Sequence, residues 1–167
     1  EPKALYNATE AAAVVPDDFE VPFGKARIRR AGEDLTLITY GNTTHLSLKA
    51  AEHIQKELNR SVEVIDLRSI NPLNYDLLLE SVKKTGRLVI ATDACERNSF
   101  ASEVARQLTE MAFDELDAPP VVVASRNWIT PAHELEDDFF PQPDWILDAI
   151  DAKIVPLPGH VRTTNQT

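Results

Sequence analysis

Only one cysteine, Cys95, stands in the 167 residues, so no disulfide can form within the chain. A fold held without cross-links fits a reducing compartment, and the expected location is cytoplasmic, or the mitochondrial matrix if the source is eukaryotic. Long apolar runs are also missing. Nothing approaches the ~20 residues a membrane span needs, and no signal-peptide pattern is present, so no membrane partner is expected. Glycine is scarce, with 5 residues, and these mark turns; the spaced glycines of a phosphate or dinucleotide loop are lacking. There is no nucleophile-elbow serine. No second histidine or acid lies at metal-ligand spacing from His45, so no zinc site is expected. Positive charge is short as well: 17 Lys and Arg against 27 Asp and Glu give a net charge of −10. That balance argues against nucleic acid as a partner and favours basic ones. The chain opens on Glu-Pro-Lys and not on methionine, and it reads as a shortened or processed polypeptide.

What is present is ordinary for a globular domain: 43% hydrophobic and 26% charged residues. The length suits one domain that buries about 70% of its unfolded surface. Residues 1–24 carry Pro2, Pro16 and Pro22 with little periodicity and read as a linker or wrapping arm. Lys25 to Arg29 alternates, with Ala26 and Ile28 on one face and the cations on the other, as in a half-solvated strand. Ala31-Gly32-Glu33-Asp34 is a turn, which taken alone predicts a hairpin with the apolar strand "LTLITYG" that follows.

From there strands and helices alternate. A helix over 43–58 places Leu46, Ala50, Ile54 and Leu58 on one face, with Asn42 or Thr43 as its cap. A strand follows at 62–66, then a helix over about 75–84 that Gly86 closes. After "RLVIAT" comes a helix from about Ser99 to Phe113, with Phe100, Val104, Leu108 and Met111 facing inward. "PPVVVAS" is the last strand, and "PDWILDAID" opens a final helix with Pro143 near its start. Residues 25–155 thus predict an α/β domain with a mostly parallel sheet covered on both faces. Residues 156–167 read as a flexible tail.

The chemistry is sparse. "TYGNTTH" brings a helix start to the end of a strand and could greet an anion, although an ordinary capped turn is the simpler reading. Cys95 lies between a strand and a helix, where a thiol can become reactive, but Asp93 and Glu96 beside it oppose a thiolate. Asp66 and Arg68 follow an apolar strand at once, before Pro72 stops the run. They are read as a buried charged pair that fixes the corner, with the loop through Pro72 facing another subunit or domain. The acids of "ELEDD" at 134–138, beside Phe139 and Phe140, form either a solvated face or a docking patch for a basic partner. Asp117, in "ELDAPP", caps a turn on the plain reading. No catalytic, cofactor-binding or metal-ligating residue emerges.

The segments "EPKALY", "VPFGKA", "TLITYG", "VEVIDLRSINPLN", "ESVKKTGRLVIATDA", "FASEVA" and "LDAPPVVV" follow one another in a recognisable order. Over residues 1 to about 152 the chain resembles the C-terminal, transketolase C-terminal-like domain of the beta subunit of thiamine-diphosphate-dependent 2-oxo acid dehydrogenases. "TYGNTTH" and "WITPAHELEDDFFPQPDWI" lean toward the branched-chain, 2-oxoisovalerate type. The resemblance implies a three-layer α/β/α fold with about five strands, the first antiparallel to the rest. Residues 1–24 would then arrive from a pyrimidine-binding domain. Thiamine diphosphate would be bound by the whole enzyme, between that domain and the alpha subunit, leaving this domain without a catalytic or cofactor-binding residue. The implied partners are the alpha subunit, a second beta subunit, and the basic peripheral subunit-binding domain of the dihydrolipoyl acyltransferase. Asp117 matches the acid that faces that last partner. The chain departs from the family pattern at "DACERNSFASE", which replaces a glycine-rich loop, and at Asn74, which replaces an acid. Two other assignments compete: the C-terminal domain of a single-chain transketolase-like enzyme, and a non-catalytic anion- or effector-binding module using the "YGNTTH" helix start.

Overall fold

The computed structural model describes residues 14–163. Five strands, β1 (Arg27–Arg30), β2 (Leu35–Thr39), β3 (Val62–Asp66), β4 (Leu88–Cys95) and β5 (Val121–Ser125), form one sheet in the order β1-β3-β2-β4-β5. Between and after them lie helices α1 (Thr43–Leu58), α2 (Tyr75–Thr85), α3 (Phe100–Met111), the single turn α4 (Glu136–Phe139) and α5 (Pro143–Lys153). β1 runs antiparallel to β3, and every other pair is parallel. The three-layer α/β/α arrangement and the antiparallel first strand agree with what the resemblance implies.

The layers follow from the period-two geometry of the strands. Leu35 and Leu37 of β2 join Ala50 and Ile54 of α1 and Trp145, Ile146 and Ile150 of α5 in one core. Ile38, one position out of phase, joins Leu78 and Val82 of α2 and Val104 and Leu108 of α3 in the other. Because β2 is buried on both faces, the whole strand "LTLIT" is inaccessible. The two polar members are satisfied: Thr36 Oγ1 bonds the hydroxyls of Ser81 and Thr85, each at 2.7 Å, and Thr39 Oγ1 donates to Thr43 Oγ1 at 2.9 Å.

The expected hairpin at Gly32 does not form. β3 is inserted between β1 and β2, so the connection from β1 to β2 crosses the start of β3. Gly32 permits that crossing: a Cβ there would lie 2.3 Å from Glu63 N and from Val62 C. The residue is required for a close backbone approach, and tight-turn conformation is not its main role.

Helix ends differ in quality. Asn74 caps α2 by accepting from Leu77 N (3.4 Å), and Gly86, at φ 66°, closes it with its N–H on Val82 O (2.8 Å). Ser99 caps α3 through Ser102 N at 3.3 Å. The expected cap of α1 fails, since Asn42 is itself helical and its side chain makes no cap bond. Thr43 instead donates to Tyr40 O at 2.7 Å. Met111 is 53% exposed, because α3 ends there and the chain turns off the sheet; Phe100 is only half-buried, edge-on to Tyr40.

Residues 1–13 of the expected arm and 164–167 of the expected tail lie outside the described residues. Unlike a free tail, the stretch up to Thr163 is tied to α5. Leu157, 3% exposed, enters the core with α1 and α5. Its N–H donates to Asp151 Oδ1 (2.7 Å), Arg162 Nε donates to Asp151 Oδ2 (2.6 Å), and His160 Nε2 meets Asp148 Oδ1 at 2.7 Å.

Candidate docking surface

The corner after β3 carries the acid and base that the sequence places there, but not as a pair. The Asp66 carboxylate faces Arg29 of β1 (Nη1 to Oδ2, 3.5 Å) and accepts the backbone N–H of Arg68 on Oδ1 at 3.2 Å. The Arg68 guanidinium turns away and donates from Nε and Nη2 to Lys25 O, at 3.0 and 2.8 Å. Arg68 is exposed, so the expected buried ion pair is absent; β1, lying alongside, supplies the cation for Asp66. The loop through Pro72 meets the incoming chain, with Pro72 against Gly24.

At the amino end of the sheet, Asp34 draws Ser61 N and Oγ onto Oδ2 at 2.7 and 2.8 Å. These bonds, the backbone one foremost, with Arg60 and Arg87 nearby, hold its carboxyl below the usual aspartate range. Asp117 stands at the same end, 60% exposed and paired with Arg87 Nη2 at 3.2 Å. Its N–H donates to Gly86 O at 2.7 Å, which joins the loop before β5 to the loop before β4 and does not cap a turn. Around it Phe113, Asp114 and Glu115 are exposed.

At the carboxyl end, the chain leaving β5 exposes a run of apolar residues that sequence reasoning did not single out. Trp128 is 70%, Ile129 94% and Leu135 55% exposed. Beside them Glu134, Asp137 and Asp138 face solvent, and Glu136 holds His133 Nδ1 at 3.0 Å. The loop has a firm base: Arg126 N donates to Phe139 O (3.1 Å), its guanidinium lies 4.2 Å from the Trp145 ring centre, and Phe139 is buried edge-on to Phe140. The loop thus presents exposed apolar and acidic residues from a firm base, a composition that suits a recognition surface. The only advance signal was adjacency, the acids lying between a Trp-Ile pair and two phenylalanines.

Other candidates are less productive. Cys95 is exposed as the last residue of β4, with Sγ donating to Arg97 O at 3.2 Å. In the "TYGNTTH" turn, Thr44 N and His45 N already donate to Gly41 O and Asn42 O, at 3.3 and 3.1 Å, which leaves fewer amides for an anion. Among the described residues, no three His, Cys, Asp or Glu side chains are grouped as metal ligands, and no helix is long and apolar enough to cross a membrane.

The fold is a three-layer α/β/α domain with one antiparallel edge strand. Residues 24–146 match the family model of the transketolase C-terminal domain, and the chain belongs to that family. It is 40% identical over 137 residues to the pyruvate dehydrogenase E1 component subunit beta of Rhizobium meliloti, covering 81% of this chain and 30% of that protein. The corresponding subunit of Staphylococcus epidermidis is 38% identical over 141 residues, 84% of this chain and 43% of its own length. The 2-oxoisovalerate dehydrogenase subunit beta of Bacillus subtilis is 41% identical over 106 residues, 64% of this chain and 32% of that one. The chain thus spans less than half the length of these relatives. A solved structure described as a split-gene transketolase, inactive beta4 tetramer, shares the fold with a TM-score of 0.69 at 22% identity, over 84% of this chain and 46% of that one.

Proposed function

We propose that this domain is the assembly and partner-docking part of a 2-oxo acid dehydrogenase beta subunit. The whole enzyme would oxidatively decarboxylate a 2-oxo acid on thiamine diphosphate and pass the acyl group to a lipoyl arm. The cofactor would be bound outside this domain, and the isolated chain would be inactive. Beta subunits of both the pyruvate and the 2-oxoisovalerate enzymes are among the relatives, at 40% and 41% identity, and support the family reading. The branched-chain substrate is the narrower proposal, resting on "TYGNTTH" and "WITPAHELEDDFFPQPDWI". The proposed partners are an alpha subunit, a second beta subunit, and the basic peripheral subunit-binding domain of a dihydrolipoyl acyltransferase.

The observation that carries docking is the exposed Trp128–Ile129 pair beside exposed Glu134, Asp137 and Asp138. Aromatic anchors supply affinity, and the acids supply orientation toward a basic partner. Asp117 is the second proposed contact; to reach a partner it must exchange Arg87 for a partner cation. The test is a calorimetric titration of the chain with that acyltransferase domain at low and moderate salt. Binding that weakens with salt, drops at least ~10-fold in Trp128→Ala, and is reduced in Asp117→Ala is the expected result. No binding at any salt overturns docking and leaves packing between beta subunits as the domain's role. Thiamine diphosphate bound by the isolated chain would overturn the assignment of the cofactor to other parts of the enzyme.

A further inference from the structure

We infer that Arg68 is a clamp that fixes the direction in which the N-terminal arm enters the domain. The inference rests on the corner geometry alone and is independent of the docking proposal. β1 and β3 pair in antiparallel register, with Ile28 opposite Ile65 and Arg27 opposite Asp66. Extending that register by two residues places Lys25 opposite Arg68. At that point β3 has ended and its backbone has turned away, since Arg68 has φ 52°, in the left-handed region. The side chain completes the ladder in its place. Nε and Nη2 of Arg68 both donate to Lys25 O, at 3.0 and 2.8 Å.

The surroundings hold this arrangement from three sides. Asp66 Oδ1 accepts Arg68 N–H at 3.2 Å, which stabilises a backbone conformation that a non-glycine residue keeps only when its neighbours enforce it. Asp66 Oδ2 faces Arg29 of β1, so the same carboxylate ties both strands to the corner. One residue upstream, Gly24 at φ 69° lies flat on Pro72; a Cβ there would approach Pro72 Cγ to 3.0 Å. Ser69 Oγ donates to Pro72 O at 3.2 Å and braces that loop. A planar guanidinium suits this task, because two of its N–H groups converge on one oxygen while an ammonium offers a single flexible point. Upstream of the clamp the arm is exposed, with Phe23 largely in solvent and Phe19 and Val21 about half so. The bonds at Lys25 and the contact at Gly24 therefore set its heading.

The experiment is backbone amide relaxation by NMR on the whole 167-residue chain and on Arg68→Gly and Arg68→Asn. Both replacements accept a left-handed φ, and neither reaches Lys25. In the parent chain Gly24 and Lys25 should be as rigid as β1, with order parameters near ~0.85. In both variants they should fall toward ~0.6 or below while β2 and β4 keep their values. Order parameters at Gly24 and Lys25 that stay high in both variants overturn the clamp. Loss in Arg68→Gly but not in Arg68→Asn also overturns it, because the mobility would then come from the new glycine's own freedom.

Discussion

Gly32 has no room for a side chain, and few substitutions in this molecule should cost more. A methyl group there meets the backbone of Val62 and Glu63, which cannot move without shifting the sheet. Gly32→Ala should lose on the order of 3 kcal/mol in chemical denaturation, at the upper end for overpacking by a single carbon. Lys84 is a second informative residue. Its ammonium meets the buried Glu63 carboxylate at 2.6 Å while a third of its own side chain stays in water. Lys84→Met should cost roughly 2 kcal/mol, less than for a wholly buried pair, because the lysine end is already partly solvated. The bond to Glu63 raises the lysine's pKa. A group whose folded pKa is raised stabilises fully below its unfolded value, and that contribution fades as pH rises through the folded one. Stability should therefore fall above about pH 10.5, and less steeply in the Met variant. In the sequence Gly32 is visible only as a turn glycine, because nothing local says that another strand passes beneath it. Arg68 looks like the partner of Asp66 for the same reason: proximity in the chain is legible, and the β1 strand that competes for the carboxylate is not.

Among the elements, the segment after α5 differs most from its sequence reading. Proline, glycine and threonine predict looseness, yet Leu157 fills the core beside α1 and α5 and Asp151 holds both Leu157 N and Arg162. A chain ending at Pro156 gives up a buried leucine, about 1.5–3 kcal/mol. Its melting temperature should drop by about 5–10 °C, read by circular dichroism. The backbone N–H of Leu157, helped by Arg162, lowers the Asp151 pKa. A lowered carboxyl stabilises above its unfolded value, and that contribution is lost as pH falls through the folded one. The protection factor of the Leu157 amide should thus fall below about pH 4, before that of the sheet does. An unchanged Leu157 protection factor in acid would contradict this. The helices were the most legible elements, since their i, i+4 spacing and the Gly86 stop of α2 are written in neighbouring residues, while the caps at Asn74 and Ser99 were not read as such. The strands were legible one by one, but their order is not a local property: the family resemblance implied an antiparallel first strand, and nothing in the sequence placed β3 between β1 and β2.

At the scale of the whole sheet, cations gather at the β1 edge and acids at the two ends of β5. The β1 edge carries Lys25, Arg27, Arg29 and Arg30, four cations within six residues of a chain whose net charge is −10. The two acid groups stand at either end of β5: Asp114, Glu115 and Asp117 before it, Glu134 to Asp138 after it. With strands about 4.8 Å apart, the two edges of the five-stranded sheet lie roughly 20 Å from each other, two to three times the screening length in physiological salt. The order β1-β3-β2-β4-β5, an outcome of packing, therefore also holds these clusters apart. A positively charged molecule approaching through dilute salt should meet the β5 edge more often than the β1 edge, and added salt should remove that bias without altering the fold.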